Sequence, residues 1–249
     1  MDFSGRILVI HHDAAVPSGE YGDVLAGCGA PVEHVELHAG APLPPLDGCR
    51  GIVTLGGPMG ALDDHVLPAL AHERRLLAEA VASGVPVWGV CLGAQLLAAA
   101  LGGDVRRGER PELGMHDLVR AAGAENDPVG AMLPVRMPVL QWHRDTFTFP
   151  EGARRLAGSD LYANQAFAVG SAYGVQFHAE VGVDAVRTWA EHPSFAADLR
   201  ARHGPGYVDA VLAPTAVHAP AGHLLARALL TTWLDTFVLP QHDHQGVSL

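Results

Sequence analysis

The stretch Val-Pro-Val-Trp-Gly-Val-Cys-Leu-Gly-Ala-Gln, residues 85–95, decides the fold of this chain. Its apolar first half is typical of a buried strand, and the residues after Cys91 open a helix. Between them lies Gly-x-Cys-x-Gly, the pattern of a nucleophile elbow, in which a sharp strand-to-helix turn holds a side chain in a strained backbone conformation. Gly89 and Gly93 are small enough to let the strand and the helix approach closely. The stretch therefore predicts an α/β protein with Cys91 at the end of a buried strand.

The segments around the elbow repeat the same alternation of strand and helix. Strands are predicted over residues 6–10, 32–36, 51–55 and 85–90, and helices over residues 19–28, 66–83 and 94–101. Such alternation is typical of a parallel sheet that is covered by helices on both faces.

Beyond residue 102 the pattern changes to short segments broken by Gly and Pro. Mixed and antiparallel strands are predicted over residues 104–107, 115–119, 138–142, 153–157, 166–169 and 172–178. Helices follow over residues 185–191, 195–202 and 219–237. No internal repeat or long linker divides the chain. We therefore expect one domain over residues 1–239 and a disordered tail over residues 240–249.

Composition excludes several classes of protein. The formal charge is −11, all sixteen basic residues are Arg, and they form no run or stripe, so nucleic acid and anionic membranes are not expected as partners. No apolar run reaches the roughly 20 residues that span a bilayer. The first residues lead straight into a strand without a secretory segment, and three cysteines cannot form a disulfide framework in a chain of this length. We expect a cytoplasmic protein.

A candidate base for Cys91 lies in Phe177-His178-Ala179-Glu180, at the end of the strand predicted over residues 172–178. Residues two apart on a strand point to the same face, so Glu180 can orient the imidazole of His178 while the other ring nitrogen reaches the thiol. The positive end of the following helix would favour the thiolate form of Cys91. The alternative for Cys91 is a small buried residue in an ordinary turn, which the two flanking glycines disfavour. Cys28 and Cys49 lack such a motif.

A glycine-rich loop, Gly-Gly-Pro-Met-Gly at residues 56–60, follows the strand predicted over residues 51–55. Sites in α/β sheets form at the carboxyl ends of the strands, so this loop and the elbow can share one crevice. The N–H groups of Gly57 and Leu92 would then form an oxyanion hole, whereas Pro58 has no N–H to offer. Taken alone, the segment favours an ordinary glycine-rich strand-to-helix turn.

Together these motifs resemble the class I (triad) glutamine amidotransferase family, and in particular its free-standing members similar to the glutaminase domain of GMP synthase. The resemblance rests on Gly-Gly-Pro, Gly-x-Cys-x-Gly-x-Gln and His-x-Glu in this order, with further matches at residues 11–12, 111–114, 141–147 and 164–167. It implies a three-layer, flavodoxin-like fold with a parallel to mixed sheet and helices on both faces. It also implies that Cys91, His178 and Glu180 form a catalytic triad.

The same resemblance implies the residues that contact glutamine. Gly56 and Gln95 would bind the substrate, and Leu92 would contribute its N–H. His143 and Asp145 would lie near the entrance and help to hold the substrate backbone, with a polar loop between strands as the alternative. His11 and His12, at the end of the first strand, could line the crevice, although a structural role is favoured for them.

Two departures from the family pattern stand out. Ala179 replaces the proline that usually separates the catalytic His from the Glu, so the rigid residue that guides Glu180 is missing. Met115-His116 replaces an aromatic pair, which would change the pocket or a partner surface.

No cofactor is expected. No Cys or His pair has structural-zinc spacing, and His242-Asp243-His244 lies in the predicted tail. Without any Lys, the chain has no phosphate-binding loop of the P-loop type, so neither ATP nor a dinucleotide is expected.

The sequence thus favours hydrolysis of the γ-amide of glutamine through a Cys91 γ-glutamyl thioester. Because no ATP-using domain follows, ammonia would pass to a separate synthetase or acceptor protein, or would simply be released. One alternative is a γ-glutamyl peptidase or hydrolase, which forms the same thioester with a different leaving group. The other is a catalytically silent binding protein of the same fold.

Overall fold

The computed structural model describes residues 5–239, so the predicted tail and its His-Asp-His motif lie outside the described residues. Nine strands are present in that range: β1 (Arg6–His11), β2 (Val32–Glu36), β3 (Cys49–Thr54), β4 (Val87–Val90), β5 (Val105–Arg120), β6 (Arg136–Phe147), β7 (Arg154–Ser159), β8 (Ala166–Val169) and β9 (Ala172–Val175). The helices are α1 (Gly19–Gly27), α2 (Ala69–Ala82), α3 (Leu92–Ala100), α4 (Val183–Glu191), α5 (Pro193–His203) and α6 (Tyr207–Trp233).

All of these strands join one sheet in the order β2-β1-β3-β4-β9-β8-β7-β5-β6. The pairs from β2 to β9 are parallel, and the remaining pairs are antiparallel. The predicted mixed sheet of a flavodoxin-like α/β fold is therefore confirmed. Its parallel half carries the elbow, because β4 lies between β3 and β9.

The apolar run of β1 shows why helices cover both faces of the sheet. Successive side chains of a strand point to opposite faces, so Ile7 and Val9 pack into one core and Leu8 and Ile10 into the other. The first core is closed by α1 and α6, and the second by α2 and α3. Each fully buried aliphatic side chain contributes roughly 1.5–3 kcal/mol relative to exposure. This sandwich of helix, sheet and helix gives the three layers.

The antiparallel half curls back toward the parallel half. The predicted segments 104–107 and 115–119 are in fact one long strand, β5, because its pairing with β6 continues across an irregularity between Arg107 and Glu112. At the far edge, Leu140 of β6 forms an isolated antiparallel bridge with His178. The strand predicted over residues 172–178 accordingly ends at Val175, and the segment that carries His178 meets β6 instead. This curl brings the end of β6 to the elbow.

The last helix begins earlier than the sequence indicates. The amphipathic pattern predicts this helix over residues 219–237. In the structure α6 already begins at Tyr207 and runs through Pro214 and Pro220. Its buried apolar face, which includes Val211 and Leu229, outweighs the lost backbone hydrogen bonds.

Candidate active site

Cys91 occupies the tip of the turn between β4 and α3, in the conformation that the elbow pattern predicts. It is the sole non-glycine residue with positive φ in the described part of the chain, with φ 52° and ψ −105°. A Cβ atom on Gly93 would lie 2.1 Å from the backbone oxygen of Thr54, and one on Gly89 would lie 2.7 Å from the oxygen of Gly93. Neither position can hold a larger residue without a backbone shift. The elbow thus depends on both glycines.

His178 and Glu180 form a buried pair beside Cys91. Nδ1 of His178 lies 2.6 Å from Oε1 of Glu180, and their side chains are 3% and 2% exposed. Burial lowers the pKa of His178, but the Glu180 carboxylate and the neighbouring Cys91 side chain outweigh it and raise the pKa to about 10. Because Nδ1–H donates to Glu180, Nε2 is the ring nitrogen left to face the thiol. The site therefore favours an imidazolium ion next to Cys91 at neutral pH.

The segment around Glu180 is held by helices rather than by a proline. The N–H of Glu20 donates to the backbone oxygen of Glu180 at 2.9 Å. Gly19 approaches so closely that a Cβ atom there would lie 2.0 Å from that oxygen, and its φ is +50°. On the other side, a Cβ atom on Gly222 of α6 would lie 3.3 Å from the oxygen of Ala179. Packing by α1 and α6 thus restrains the position that the missing proline would have stiffened.

The glycine-rich loop lies directly against the elbow. The N–H of Gly93 donates to the oxygen of Leu55 at 3.0 Å, which ties the start of the loop to α3. A Cβ atom on Gly56 would lie 3.4 Å from Cε1 of His178 and 3.6 Å from Cβ of Cys91. Gly57 similarly approaches the side chain of Leu92. The loop, Cys91 and His178 therefore lie next to one another.

A buried ion pair that the sequence did not reveal supports this loop from below. Nε2 of His12 lies 2.7 Å from Oε2 of Glu73, and neither side chain is exposed. Thr54 donates its hydroxyl to the other carboxylate oxygen at 2.6 Å. Burial lowers the pKa of His12, but Glu73 and the backbone of Gly56 outweigh it, so the net shift is upward. The sole signal in the sequence is a Glu on the apolar stripe of α2, where a charge needs a partner.

A polar cavity of about 220 Å³ opens on one side of Cys91. We call it the polar crevice, and its lining includes Gly57, Leu92, Gln95, His143, Arg144 and Asp145. Nε2 of Gln95 donates to Gln176 at 3.0 Å and to the backbone oxygen of Asp145 at 3.4 Å. His143 is buried, with one ring nitrogen 3.0 Å from the Glu112 carboxylate and the other 2.9 Å from the backbone oxygen of Asp145.

The predicted substrate contacts therefore converge on one place, although in different ways. Gln95 and Asp145 line the polar crevice, and Gly56 lies beside Cys91 and His178. Both ring nitrogens of His143 are engaged by protein groups, so this residue supports the wall that carries Asp145. The Met115-His116 departure lies elsewhere, since His116 lines a surface groove with Arg110 and Arg202.

A second, apolar cavity of about 50 Å³ also touches Cys91. We call it the aromatic cavity, and its walls are chiefly Val16, Trp142, Trp189 and Phe195. His178 lines this cavity as well, with its ring centroid 4.9 Å from that of Trp189. The sequence did not indicate these walls, because their residues come from three separate parts of the chain.

The described residues contain neither a cluster of metal ligands nor a helix that could span a membrane. Between residues 5 and 239, no three His, Cys, Asp or Glu side chains are grouped as metal ligands. None of the helices in this part of the chain is both long and apolar enough to cross a membrane.

Solved structures of known proteins resemble this chain over nearly its whole length. A crystal structure of a glutamine amidotransferase from Thermotoga maritima is 31% identical and superposes with a TM-score of 0.81 over 94% of this chain and 99% of that one. A crystal structure of a glutamine amidotransferase from Methylobacillus flagellatus is 28% identical and superposes with a TM-score of 0.83. The superposition covers 98% of this chain and 99% of that one. The predicted fold is thus shared with solved proteins of this kind.

Comparison of the sequence with known proteins points to the same kind of protein. A glutamine-hydrolysing GMP synthase subunit from Methanoculleus marisnigri is 38% identical over 138 residues, which are 54% of this chain and 67% of the relative's length. A glutamine-hydrolysing GMP synthase from Synechococcus is 37% identical, but the matched region is just 26% of its length. The model of the family described as glutamine amidotransferase class-I matches residues 23–187, which include the elbow and the pair His178 and Glu180. The chain therefore belongs to the class I glutamine amidotransferase family.

Proposed function

We propose that this protein hydrolyses the γ-amide of glutamine through a γ-glutamyl thioester on Cys91. The observation that carries the proposal is the position of the buried pair His178 and Glu180 beside Cys91, which itself borders the polar crevice. A strained nucleophile, an adjacent imidazolium and an orienting carboxylate are the three parts that acyl transfer to a thiol needs. An intact set of this kind also disfavours a catalytically silent binding protein.

The chemistry follows from the protonation state of the pair. The thiolate of Cys91 adds to the amide carbon, and the N–H groups of Gly57 and Leu92 stabilise the oxyanion. His178 then gives its proton to the departing nitrogen, so that ammonia leaves and the thioester remains. The neutral imidazole next removes a proton from water, which attacks the thioester. Glutamate is released, and the thiolate beside the imidazolium is restored.

The polar crevice would hold the amino-acid end of the substrate. Its volume of about 220 Å³ suits a glutamyl group, and its lining offers both signs of charge. The carboxylate of Asp145, which lies 3.6 Å from Arg107, would bind the α-ammonium group, and Arg107 would bind the α-carboxylate. Gln95 and Gly56 would contact the side-chain amide, while His143 keeps Asp145 in place through its backbone.

We further propose that the ammonia passes to a separate acceptor protein in the cytoplasm. The relative from Methanoculleus is named as one part of a GMP synthase, which supports a synthetase as the partner. All three cysteines are free, in keeping with a reducing compartment. No cofactor has a part in this reaction.

Turnover of glutamine tests the function directly. The purified protein is incubated with glutamine, and ammonia and glutamate are measured separately, with Cys91→Ala as the control. A glutamine-mimicking electrophile is then used to map the reactive thiol by mass spectrometry. Equal amounts of the two products and exclusive labelling of Cys91 are expected. Labelling of Cys28 or Cys49 before Cys91 would show that the site is wrong.

The main rival is a γ-glutamyl peptidase, whose leaving group is an amino acid. The aromatic cavity beside His178 disfavours it, since its lining, within the part of the chain that the structure describes, includes Asp13 and no Arg. The imidazolium of His178 is already paired with Glu180, so the α-carboxylate of a departing amino acid would meet the like charge of Asp13 there. Rapid release of glycine from γ-glutamylglycine, with little glutaminase activity, would reverse this choice.

A further inference from the structure

Two cavities meet at Cys91, and His178 lines one of them. Cys91 borders both the polar crevice and the aromatic cavity, whereas His178 borders the aromatic cavity and Gln95 and Asp145 border the polar crevice. During thioester formation the leaving nitrogen is the atom that accepts the proton of His178. Any substituent on that nitrogen therefore extends toward the aromatic cavity, while the glutamyl part occupies the polar crevice.

The walls of the aromatic cavity are firmly held. The indole N–H of Trp189 donates to the backbone oxygen of Ala15 at 2.8 Å. The ring of Trp142 lies 5.9 Å from that of Trp189 and 5.6 Å from that of Phe195, measured between centroids. Arg144 pairs with Asp198 at 2.7 Å, which anchors α5 over the site. A preformed apolar wall loses little entropy when a ligand binds to it.

Size and charge restrict what can occupy the aromatic cavity. Its volume of about 50 Å³ is far below the 220 Å³ of the polar crevice, so it has space for a few carbon atoms and not for a large side chain. Asp13 supplies a negative charge, and the other titratable groups on its walls besides Cys91 are His178 and His192. Ammonia would leave these apolar walls uncovered. A short alkyl group would cover them.

We propose that the aromatic cavity is a leaving-group subsite and that the substrates include γ-glutamyl amides of short apolar primary amines. The inference rests on the proposed function, because it uses the same thioester. The thiolate of Cys91 adds to the amide carbon, the carbon–nitrogen bond breaks, and the proton of His178 goes to the alkylamine. Water then hydrolyses the thioester to glutamate, so no further reactant is needed.

A comparison of three substrates with the purified chain tests this inference. Glutamine, N5-ethylglutamine and γ-glutamylglycine differ in the group on the leaving nitrogen, which is hydrogen, ethyl or an anionic carboxymethyl. Amine release is measured over the first turnover at high enzyme concentration, so that slow steady-state turnover does not hide the result. We expect kcat/KM for N5-ethylglutamine to equal or exceed that for glutamine, and to exceed that for γ-glutamylglycine by roughly tenfold or more.

Two variants separate shape from charge. Val16→Phe fills the aromatic cavity, so the ethyl group can no longer be buried there. The ratio of kcat/KM for N5-ethylglutamine to kcat/KM for glutamine should then fall by roughly tenfold, which corresponds to the free energy of burying about two carbon atoms. Asp13→Asn keeps the shape, and its oxygen can still accept the N–H of Ala15, which Asp13 accepts at 2.8 Å. This substitution should raise kcat/KM for γ-glutamylglycine relative to N5-ethylglutamine. Asp13→Asn still tests the inference if Val16→Phe impairs folding.

The outcomes distinguish the inference from the function on which it rests. If glutamine is hydrolysed and N5-ethylglutamine is cleaved more than about tenfold more slowly, the leaving-group subsite is wrong and the glutaminase stands. An unchanged substrate ratio in both variants would also overturn the subsite. If none of the substrates forms a thioester and Cys91 resists labelling, the proposed function itself fails.

Discussion

Each of the three central residues holds a different part of the proposed chemistry. Cys91 sits in a backbone conformation that costs roughly 1–3 kcal/mol for a non-glycine residue, and such strain persists where the surroundings enforce it. His178 carries the proton, and Glu180 accepts a hydrogen bond from its ring. The order in which their loss harms the reaction can therefore be predicted residue by residue.

A substitution series should separate these roles. Cys91→Ala removes the nucleophile, so no thioester forms. His178→Ala removes both the partner of the thiolate and the general acid, which is worth roughly 10²–10⁴-fold. Glu180→Gln should retain measurable thioester formation, because a cysteine at a helix N-terminus ionises more readily than a serine. The rate of γ-glutamyl thioester formation is measured by rapid quench and mass spectrometry. Equal loss in the Glu180 and His178 variants would contradict this hierarchy.

The pH dependence of the reaction should report the state of His178. The pKa of His178 is raised to about 10, so the imidazolium is present at neutral pH and is lost as the pH rises through that value. The profile of kcat/KM with glutamine should therefore fall on its alkaline side near pH 10. Glu180→Gln removes a charge that raises this pKa and should move the alkaline limb to lower pH. A limb that stays in place in the variant would show that another group titrates.

At the scale of elements, two pairs of contacts position the site. Helices α1 and α6 restrain the segment from Ala179 to Glu180. The pair His12 and Glu73 joins the residue after β1 to α2, next to the glycine-rich loop. In both cases groups distant in sequence compensate for something unusual, a missing proline in one and a buried charge in the other. Each contact can be tested with a matched control on the same helix.

Gly19→Ala should disturb the site, whereas Gly27→Ala at the other end of α1 should not. The new Cβ atom at residue 19 would lie 2.0 Å from the backbone oxygen of Glu180, at a φ of +50° that disfavours any side chain. A Cβ atom at residue 27 has no neighbour within 4 Å. We expect Gly19→Ala to lower the free energy of unfolding by roughly 2 kcal/mol or more and to slow thioester formation. Urea unfolding and rapid quench measure both, and similar behaviour of the two variants would contradict the restraint by α1.

Glu73→Gln should weaken the support of the loop. Removing one partner of a buried pair typically costs about 3–5 kcal/mol, and Glu79→Gln on the exposed side of α2 is the control. Folding raises the pKa of His12 above its unfolded value of about 6.5. The pair therefore stabilises the folded state fully when the pH is below the unfolded pKa, and this stabilisation is lost as the pH rises through the folded pKa. Urea unfolding at about pH 6 and about pH 9 measures this. The stability difference between wild type and Glu73→Gln should shrink at the higher pH, and a constant difference would argue against a charged His12.

At the scale of the whole molecule, the curl of the sheet assembles the site. The bridge between Leu140 and His178 places the end of β6 beside His178, so that Trp142 and Asp145 border the two cavities next to Cys91. Without this closure, Cys91 would lack the walls that β6 contributes to both cavities.

The proposed synthetase partner leads to a prediction about the activity of the isolated chain. We expect the isolated chain to hydrolyse glutamine slowly, with turnover rising when a synthetase binds. Affinity capture from native cells, with the Cys91→Ala chain as bait, identifies the partner, and glutaminase assays with the recovered protein measure the stimulation. The inactive bait binds equally well if the contact is a surface contact. Fast turnover by the pure chain, unchanged by any captured protein, would argue for an enzyme that acts alone.

The sequence by itself determined the parallel half of the fold and the identity of the candidate triad. Both depend on local patterns: apolar strands followed by helices, an elbow with two glycines, and a His and a Glu two residues apart. The family and the flavodoxin-like sheet that follow from these patterns are confirmed, while the catalytic roles of the three residues stay predictions. Local patterns suffice here because the backbone of one short segment enforces the spacing of the groups within it.

The tertiary structure alone decided how the remaining residues meet. His12 and Glu73 are 61 residues apart, and Trp189 and Ala15 are 174 apart, so no periodicity in the sequence links them. The long course of β5, the early start of α6 and the aromatic cavity were likewise missed. Such contacts depend on which faces the folded sheet and helices bury together, and that choice minimises exposed apolar surface over the whole chain rather than within any segment of it.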